Sequence, residues 1–464
     1  MNKINVDPIR ETILTILVKI DSKQGYINIL LNRSLDKNKI STRDAAFINE
    51  ITYGVIRNRN KLDWALSQFS TKTLSETPIL IKNILRMGTY QLLFLDKVPD
   101  YAVCNESVQL AKKYGNLGIS KFVNGVLRNI IRNKENIHWP DKEKETALYI
   151  STIYSHPLQV VERWLKRFGF ADTIKICQAN NKIPTLVIRT NTLKISRSDL
   201  KLMLEKENVS VVKEGIFTEE ALYVKGLPNI TKFPAYREGL FQIQDEASIL
   251  VSHLLDPLPG EFVIDVCSAP GGKSTHLAQL MENKGDLLAM DSNNLRLLTV
   301  KSNCRRLGID IVKTRMNNGA ILDEKYLKAA DKVLIDVPCS GLGVLRRKPD
   351  LRWQTYNVKR FEQLTDLQGK ILSTASCYLK IGGKLVYSTC SIEPEENEEI
   401  VSKFLKKHPN FELDDLNGFI KERKLDPYVS DQHKQKKFIQ IYPGLSNLDL
   451  ELDGFFMAKM TRKR

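Results

Sequence analysis

The sequence predicts a multidomain protein: an all-α helical bundle first, a small α+β segment next, and an α/β domain with a doubly wound sheet last. Apolar residues recur at helical spacing through the first part of the chain. After residue 260, short apolar runs alternate with amphipathic helices, which is typical of repeated βα units. The length of 464 residues exceeds that of one ordinary domain. We therefore expect domains over residues 1–140, 141–240 and 241–464.

The helical bundle is predicted from its start signals and its periodicity. Asp7-Pro8 is a typical helix start, and Ser41-Thr42-Arg43-Asp44 opens a second amphipathic helix. Further apolar-periodic runs, separated by short polar or proline-containing joints, cover 79–95, 102–114 and 121–131. The helical pattern continues from residue 138 to about residue 183.

The rest of the chain is predicted to mix strands and helices. In the small α+β segment we expect a helix over 198–208 and strands over 186–189, 209–212 and 222–224. In the last domain the predicted strands are 262–266, 287–290, 311–312, 333–335 and 385–387, with helices that include 357–379 and 394–407. Repeated βα units imply a parallel sheet. The end differs, because 439–442 and 454–460 form a final strand pair with no helix between them.

The composition is that of a folded protein with a strongly basic balance. Apolar residues make up 42% of the chain, charged residues 27%, and the formal net charge is +16. This excess favours a polyanion such as RNA, DNA or an anionic membrane surface, or it reflects a Lys-rich source proteome. Basic residues form two clusters in the bundle. One lies late in the bundle, at Arg128 and Arg132, and the other lies beside Tyr53. The second cluster comprises Arg57, Arg59 and Lys61. Either cluster binds nucleic acid or forms a solvated helix face.

Targeting signals and metal motifs are not evident. Charged residues interrupt the amino terminus, and no apolar stretch approaches the length needed to cross a bilayer, so we expect a cytoplasmic protein without a membrane partner. The seven cysteines are widely spaced and contain no Cys-x-x-Cys. We therefore expect thiols and no metal site.

A glycine loop and an aspartate indicate a nucleoside cofactor. The first predicted strand of the last domain runs into Cys267-Ser268-Ala269-Pro270-Gly271-Gly272-Lys273, whose glycines let the backbone approach a ligand. The second strand ends in Asp291, where a carboxylate can accept hydrogen bonds from ribose hydroxyls. Taken singly, the loop is also explained as a tight turn and Asp291 as a helix N-cap. Together they favour a nucleoside-containing cofactor.

Two cysteines follow later strands at the same predicted sheet edge. The fourth strand ends in Asp336-Val337-Pro338-Cys339-Ser340-Gly341, and the fifth ends in Ser388-Thr389-Cys390-Ser391. A thiolate is a strong nucleophile at neutral pH, and nearby cations such as Lys273 favour it. Inert packed cysteines are the alternative. Between the two motifs, the run from Leu345 to Trp353 suits phosphate contacts and base stacking, or is a solvated charge run.

These motifs, in this order, resemble the RNA 5-methylcytosine methyltransferases of the NOL1/NOP2/Sun family. The resemblance rests on the Cys267–Lys273 loop within Asp-Val-Cys-Ser-Ala-Pro-Gly-Gly-Lys, on Asp-Val-Pro-Cys-Ser-Gly and on Ser-Thr-Cys-Ser, with support from Gln244-Asp245-Glu246-Ala247-Ser248 and Arg347-Lys348-Pro349-Asp350. The bundle resembles a NusB-type RNA-binding domain through Tyr53-Gly54-Val55, Asp63 and the run from Phe122 to Arg128. This combination is similar to the bacterial 16S rRNA methyltransferase B (Sun) subfamily.

The resemblance implies a function and a set of site residues. The protein would transfer a methyl group from S-adenosyl-L-methionine to carbon 5 of a cytosine in 16S rRNA, as a monomer acting on naked or early-assembly RNA. By position, Cys390 matches the nucleophile and Cys339 the cysteine that helps to release the product. Asp336 lies next to the target base, Lys273 assists catalysis, and the cofactor-binding set comprises Cys267, Ser268, Ala269, Pro270, Gly271, Gly272, Lys273, Asp291, Asn317 and Asp336.

Two departures and several alternatives stay open at this point. The family usually has an aspartate after the third strand, where counting from Asp291 and Asp336 leads to the uncharged Asn317. The loop has Ser268 where alanine is common. A non-catalytic RNA-binding or antitermination factor is the rival from another class, and tRNA, 23S rRNA or DNA are alternative substrates, because fold-level analogy alone selects 16S rRNA.

Overall fold

The computed structural model describes residues 6–37, 40–227, 230–354, 358–446 and 452–463. The chain falls into two compact units, one of residues 1–182 with 345–356 and one of residues 183–344 with 357–464. The predicted boundaries near 140 and 240 stay predictions. No helix among the described residues is long and apolar enough to cross a membrane.

The first unit is helical, as predicted. Asp7 caps the first helix by accepting a hydrogen bond from the amide of Ile9, with Pro8 as the first helical residue, and Ser41 caps the third in the same way. Apolar faces at helical spacing then bury against one another. The helices are α1 (Pro8–Asp21), α2 (Ile27–Lys37), α3 (Thr42–Arg57), α4 (Arg59–Phe69), α5 (Ile79–Phe94), α6 (Asp100–Tyr114), α7 (Leu117–Asn133), α8 (Thr146–Ile153), α9 (Leu158–Asn181) and, from later in the chain, α15 (Leu351–Gln354).

Packing around α5 explains two residues on which the resemblance rests. A Cβ on Gly54 would lie 2.0 Å from the ring of Tyr90, so only glycine allows this approach of α3 to α5. The carboxylate of Asp63 accepts a 2.6 Å hydrogen bond from Arg86, which is buried on α5 and also contacts Asp21 at 2.7 Å. The buried guanidinium is therefore neutralised on both sides, as burial of a charge requires.

Most of the basic residues singled out from the sequence have internal partners. Arg57 lies over the ring of Tyr53, and Arg59 pairs with Asp21 at 3.2 Å. Lys61 lies over Phe94 and Trp139. These contacts tie the cluster of Arg57, Arg59 and Lys61 into the bundle.

One interpretation of the run from Leu345 to Trp353 is a segment for phosphate contacts and base stacking. For Arg352 and Trp353 this interpretation is wrong. Arg352 is 1% exposed and donates to the carbonyls of Ser155 and Asn180 and to the side chain of Asn181. The indole of Trp353 donates to the carbonyl of Ile56 at 2.9 Å. These side chains hold the segment within the helical unit and are not presented to a phosphate.

The second unit begins with a four-stranded antiparallel sheet, which is the predicted α+β segment. Its strands lie in the order β2-β3-β1-β4. The elements are β1 (Leu186–Thr190), α10 (Arg197–Lys206), β2 (Ser210–Glu214), β3 (Ala221–Lys225), α11 (Pro234–Arg237) and β4 (Phe241–Ile243).

The large sheet of the second unit is doubly wound but mixed, not parallel throughout. Strands β7, β6, β5, β8 and β9 are parallel neighbours, and β12, with β10 and β11, adds an antiparallel edge beside β9. Its elements are α12 (Glu246–Leu255), β5 (Phe262–Asp265), α13 (Gly272–Leu280), β6 (Asp286–Asp291), α14 (Asn294–Leu307), β7 (Val312–Met316), β8 (Ala330–Asp336), α16 (Val358–Ser376), β9 (Leu379–Thr389), α17 (Glu398–Lys407), β10 (Phe411–Leu413), α18 (Asn417–Glu422), α19 (Asp431–Gln435), β11 (Ile439–Ile441) and β12 (Phe455–Arg462).

Helices cover both faces of this sheet, as the predicted βα repeats require. Val263 and Leu334 point into the core on one face, while Ile264 and Ile335 point into the core on the other. The predicted helix 357–379 ends earlier, at Ser376, because Leu379 already begins β9; Asn357 lies outside the described residues. Residues 394–396 form a 3-10 turn ahead of α17 instead of the first turn of a helix.

Candidate active site

The predicted site residues meet at the carboxyl edge of the parallel strands. The loop after β5 holds Cys267 to Lys273, Asp291 ends β6, and Asn317 directly follows β7. Asp336 ends β8, and Cys390 directly follows β9. Because neighbouring parallel strands end at one edge, five separate segments converge there.

The glycine loop is held in a tight form that requires glycine at position 271. Gly271 has φ +100°, and a Cβ at this position would lie 3.1 Å from the Cα of Val300. The amide of Ser268 donates to the carbonyl of Met290 at 2.8 Å, which joins the loop to β6. The first intrahelical hydrogen bond of α13 runs from the amide of Thr275 to the carbonyl of Gly271. The amides before Thr275 therefore have no intrahelical acceptor and face the loop.

The edge fits the nucleoside cofactor that the resemblance implies. Asp291 is 4% exposed, and its carboxylate accepts from the amides of Ala269 and Asn293. The backbone amide of Asn317 donates to the backbone carbonyl of Asp291 at 3.1 Å, which joins the residue after β7 to the end of β6. Buried oxygens without a hydrogen-bond partner among the described residues lie on Ser268 and Asn317. Since buried polar atoms normally have partners, these oxygens suit the hydroxyls and amines of a bound nucleoside and amino acid.

The two predicted cysteines are neighbours. The Sγ atoms of Cys339 and Cys390 lie 3.1 Å apart, and both residues are free thiols at the rim of the sheet. The hydrogen bond with Cys390, together with burial, raises the pKa of Cys339 well above its usual value. Cys339 therefore keeps its proton at neutral pH, and its thiol can donate to the sulfur of Cys390.

A cation–carboxylate pair lies at the end of β8 beside the cysteine loops. Lys273 Nζ lies 2.7 Å from one oxygen of Asp336, and Ser388 Oγ donates to the other at 2.8 Å. The pair fixes the orientation of the carboxylate. It also joins α13, which follows the glycine loop, to the strand that leads to Cys339.

Sequence reasoning missed a buried carboxylate that joins the two cysteine loops. Glu396 is 0% exposed and accepts from the amide and the hydroxyl of Ser340, at 2.7 and 2.5 Å. It also accepts from the hydroxyl of Ser391 and from the amide of Gln368. Since Ser340 follows Cys339 and Ser391 follows Cys390, one carboxylate holds both loops. The signal was present in Pro394-Glu395-Glu396, close after the second motif, but nothing there identifies which glutamate turns inward.

A second buried carboxylate contacts α13, directly after the glycine loop. Asp265 is 0% exposed and accepts from Ser274 Oγ at 2.6 Å, while its other oxygen has no partner among the described residues. Burial raises its pKa to about 7. The carboxyl group therefore exchanges its proton near neutral pH.

The four-stranded sheet also contacts the glycine loop. Arg189, on β1, donates to the carbonyl of Gly272 at 2.7 Å, to Thr275 Oγ1 at 3.1 Å and to the side chain of Gln244. Gln244 is the first residue of the Gln-Asp-Glu-Ala-Ser motif, so this motif helps to hold Arg189 against the glycine loop.

Glu220, His253 and His276 form a buried cluster whose donor atoms lie within 4.8 Å of one another. Nε2 of His253 and Nε2 of His276 lie 2.8 and 2.7 Å from the same carboxylate oxygen. Ligands around one metal ion stand farther apart than this, at roughly 3 Å or more for bonds of about 2 Å. The contacts are those of a carboxylate between two imidazoles, and burial lowers the pKa of His276 to about 3.

Comparison with known proteins identifies the family. A model of 16S rRNA methyltransferase RsmB/F matches residues 252–461, the NusB family matches 7–132, and the ferredoxin-like domain of RsmF/B-like methyltransferases matches 156–231. The probable ribosomal RNA small subunit methyltransferase B of Bacillus subtilis is 35% identical, over 98% of this chain and 99% of that protein. The chain belongs to the RsmB/F family of 16S rRNA methyltransferases.

Further relatives agree with this family assignment. Ribosomal RNA small subunit methyltransferase B of Yersinia pseudotuberculosis is 30% identical over 92% of this chain and 93% of its own length. The crystal structure of PH0851 superposes with a TM-score of 0.83 at 27% identity, covering 99% of this chain and 100% of that one. NSun6 from Pyrococcus horikoshii, solved with the S-adenosylmethionine analogue SFG, has a TM-score of 0.57 at 26% identity, covering 65% of this chain and 97% of its own.

These findings confirm the predicted resemblance, the order of folds and the cofactor. As a member of the RsmB/F family, the protein is an S-adenosylmethionine-dependent methyltransferase. The roles assigned to individual site residues stay predictions.

Proposed function

We propose that this RsmB/F family member transfers a methyl group from S-adenosyl-L-methionine to carbon 5 of a cytosine in 16S rRNA through a covalent adduct with Cys390. The observation that carries the proposal is the pair of thiols 3.1 Å apart, one of them on the loop that follows the Lys273–Asp336 pair. The relatives from B. subtilis and Y. pseudotuberculosis, both named as small-subunit rRNA methyltransferases, support the RNA class.

Carbon 5 of cytosine is a poor nucleophile, which is the reason for covalent catalysis. The thiolate of Cys390 adds to carbon 6, and the electron pair of the carbon 5–carbon 6 double bond becomes available at carbon 5. When bound, S-adenosylmethionine would supply an electrophilic methyl group: carbon 5 would form a bond to it while the methyl–sulfonium bond breaks and S-adenosylhomocysteine leaves. A base then removes the proton from carbon 5, the double bond forms again, and the carbon–sulfur bond breaks to release the Cys390 thiolate.

The neighbouring side chains are proposed to assist these steps. Asp336, held as a carboxylate by Lys273 and Ser388, accepts a hydrogen bond from the amino group or from a protonated N3 of the cytosine. Cys339, which keeps its proton, hydrogen-bonds the sulfur of Cys390 and assists its release. The target base must be unpaired or flipped out, because carbon 6 is inaccessible in a stacked helix.

The cofactor-binding roles follow the same edge. We assign the methionine part of S-adenosylmethionine to the loop from Cys267 to Lys273, the ribose to Asp291 and the adenine end to Asn317. The unpartnered buried oxygens of Ser268 and Asn317 support this assignment. Cys267 is half-buried, and desolvation raises its pKa, so we assign it packing rather than nucleophilic attack.

Three cysteine variants test the mechanism. Cys390→Ala should abolish methylation of 16S rRNA while S-adenosylmethionine still raises the melting temperature. Cys339→Ala should accumulate a covalent protein–RNA adduct on a denaturing gel. Cys377→Ala, a thiol of α16's carboxyl end that contacts the carbonyl of Ser373, is the matched control and should be fully active. Full activity of Cys390→Ala would refute the nucleophile assignment, and absence of any adduct with Cys339→Ala would refute the release role.

The substrate is tested separately. Bisulfite sequencing of 16S rRNA from wild-type and deletion strains should show one cytosine that loses its protection in the deletion. Action as a monomer on naked or early-assembly RNA stays a prediction. Sedimentation of the free protein, and comparison of naked 16S rRNA with mature subunits as substrates, test it.

A further inference from the structure

Helices α6 and α7 border a cleft of about 500 Å³ in the helical unit. Tyr101 and Asn105 lie on the α6 side, one helical turn apart, and Asn124 and Arg128 lie on the α7 side at the same spacing. Arg132 extends the α7 side by one further turn. An aromatic ring, two amides and two guanidiniums therefore face one concave surface.

We propose that this cleft binds an unpaired stretch of the RNA substrate, with a base stacked on Tyr101 and adjacent phosphates on Arg128 and Arg132. The proposal rests on the proposed function, because it assumes an RNA substrate, and it adds a contact site in the helical unit. It concerns the affinity of the protein for its RNA substrate, not the methyl transfer.

The exposure of Tyr101 is the first argument. Its side chain is 78% exposed, although it lies one turn from the buried Cys104 on a helix that packs into the core. A flat ring at the mouth of a cleft is a stacking platform for any base, and stacking is the interaction that single-stranded nucleic acid offers in water. The amides of Asn105 and Asn124 can each donate to and accept from a base edge.

The two arginines are the second argument. Arg128 and Arg132 are exposed, and within the described ranges neither has a salt-bridge partner; Arg128 donates to Asn124 Oδ1 at 3.2 Å. The one carboxylate that lines the cleft, Asp100, faces Lys134 at 3.9 Å. The net charge of the cleft is therefore positive, which suits the phosphates of a nucleic acid.

The fate of the other basic residues is the third argument. The cluster of Arg57, Arg59 and Lys61 is engaged with rings and carboxylates, and Arg352 is bonded to backbone carbonyls. Of the basic groups that the sequence singled out in this unit, Arg128 and Arg132 keep guanidiniums that face a cavity. An RNA contact by this unit is thus best placed between α6 and α7.

The test measures binding of the full-length protein to a fluorescein-labelled, single-stranded RNA of twelve nucleotides, by anisotropy and without S-adenosylmethionine. Tyr101→Ala should weaken binding by about 5- to 150-fold, the loss expected for one stacked base, and Tyr101→Phe should restore it. The double variant Arg128→Glu/Arg132→Glu should lower the slope of log affinity against log salt by about 1.4, the value for two phosphates of a single strand.

The matched control is Arg33→Glu/Arg43→Glu, which changes the net charge equally at two exposed arginines on α2 and α3. It should keep most of the salt slope. Equal weakening by the control pair, or wild-type affinity in Tyr101→Ala and in the α7 double variant, would overturn the proposal; in the second case a protein ligand for the cleft would be the remaining alternative. Failure of the proposed function is distinguishable, because it would show as wild-type protein that binds RNA here but leaves no 5-methylcytosine in 16S rRNA.

Discussion

Replacing Glu396 separates the geometry of the cysteine pair from its chemistry. Glu396→Ala removes an acceptor for two donors of Ser340, one of Ser391 and one of Gln368, all in a site closed to water. Hydrogen bonds to a charged group contribute about 1.5–3 kcal/mol each. Some of these donors will find other acceptors, so we expect a loss of about 3–5 kcal/mol in the free energy of unfolding, the range for breaking one partner of a buried charged network.

The effect on catalysis follows from position, since Glu396 contacts the residues after Cys339 and Cys390 and neither sulfur itself. A shift of about 1 Å between the loops lowers the rate of a well-oriented reaction on the order of 100-fold. Glu396→Gln should retain activity to within about tenfold, because its carbonyl can still accept from the amide of Ser340 while the two hydroxyls reverse and accept from its NH2 group. Rescue by glutamine marks a positioning role.

The assays are single-turnover methylation and formation of a Cys339–Cys390 disulfide with diamide. The two sulfurs need to approach only from 3.1 Å to a bond length of about 2 Å, so the disulfide should form rapidly in the wild-type protein. Mass spectrometry would detect it as the loss of two hydrogens. Glu396→Ala should form the disulfide more slowly, while Glu399→Gln, which alters a carboxylate paired with Lys403 on α17, should match wild type. Wild-type rates of methylation and disulfide formation in Glu396→Ala would refute the reasoning.

Three further variants test other parts of the second unit. In the folded protein the pKa of Asp265 is about 7, against an ordinary value of 3.8, so the free energy of unfolding is highest below pH 3.8 and falls as the pH rises to 7. Asp265→Asn should therefore raise the free energy of unfolding by up to about 4 kcal/mol at pH 8 and by much less at pH 5. An equal gain at both pH values would contradict this. In the folded protein the pKa of His276 is about 3, against an ordinary value of 6.5, so the free energy of unfolding is highest above pH 6.5 and falls on acidification. His276→Gln should therefore make the urea midpoint decline less steeply between pH 6.5 and 4.5. An unchanged slope would exclude His276 as the source of that decline. Asp291→Ala should weaken S-adenosylmethionine binding in calorimetry by more than about tenfold, as loss of charged hydrogen bonds to ribose implies, whereas the exposed Asp310→Ala should not.

The cofactor edge was predictable because strand ends are visible in the sequence. An apolar run followed by a glycine, an aspartate or a cysteine marks both the strand and the residue at its carboxyl end, and parallel pairing brings these ends together. This reasoning placed Asp291, Asp336 and Cys390 at one edge. It reached Asn317 by counting between them, and the structure puts its amide on the carbonyl of Asp291.

The buried carboxylates were not predictable by the same reasoning. Glu396 lies in a run of charged residues that predicts a solvated helix start, and only the close packing of the loops after β8 and β9 turns it inward. Gly343 shows how close that packing is: its amide donates to the carbonyl of Cys390, and a Cβ on it would lie 2.1 Å from the carbonyl oxygen of Gly454. A contact set by three distant segments leaves no periodic signal in any of them.

Arg352 shows why a basic run cannot be assigned to RNA from its letters. Its guanidinium donates to the carbonyl of Arg57, the last residue of α3, to that of Ser155, just beyond α8, and to that of Asn180, in the last turn of α9. The last carbonyls of a helix lack intrahelical partners and carry the negative end of the helix dipole, so a planar cation with five donors satisfies several of them together. A charge near a phosphate and a charge that closes three helix ends have the same sequence pattern. They are told apart by whether acceptors from the protein already surround the cation, and by that criterion Arg352 belongs to the fold whereas Arg128 and Arg132 remain available to a ligand.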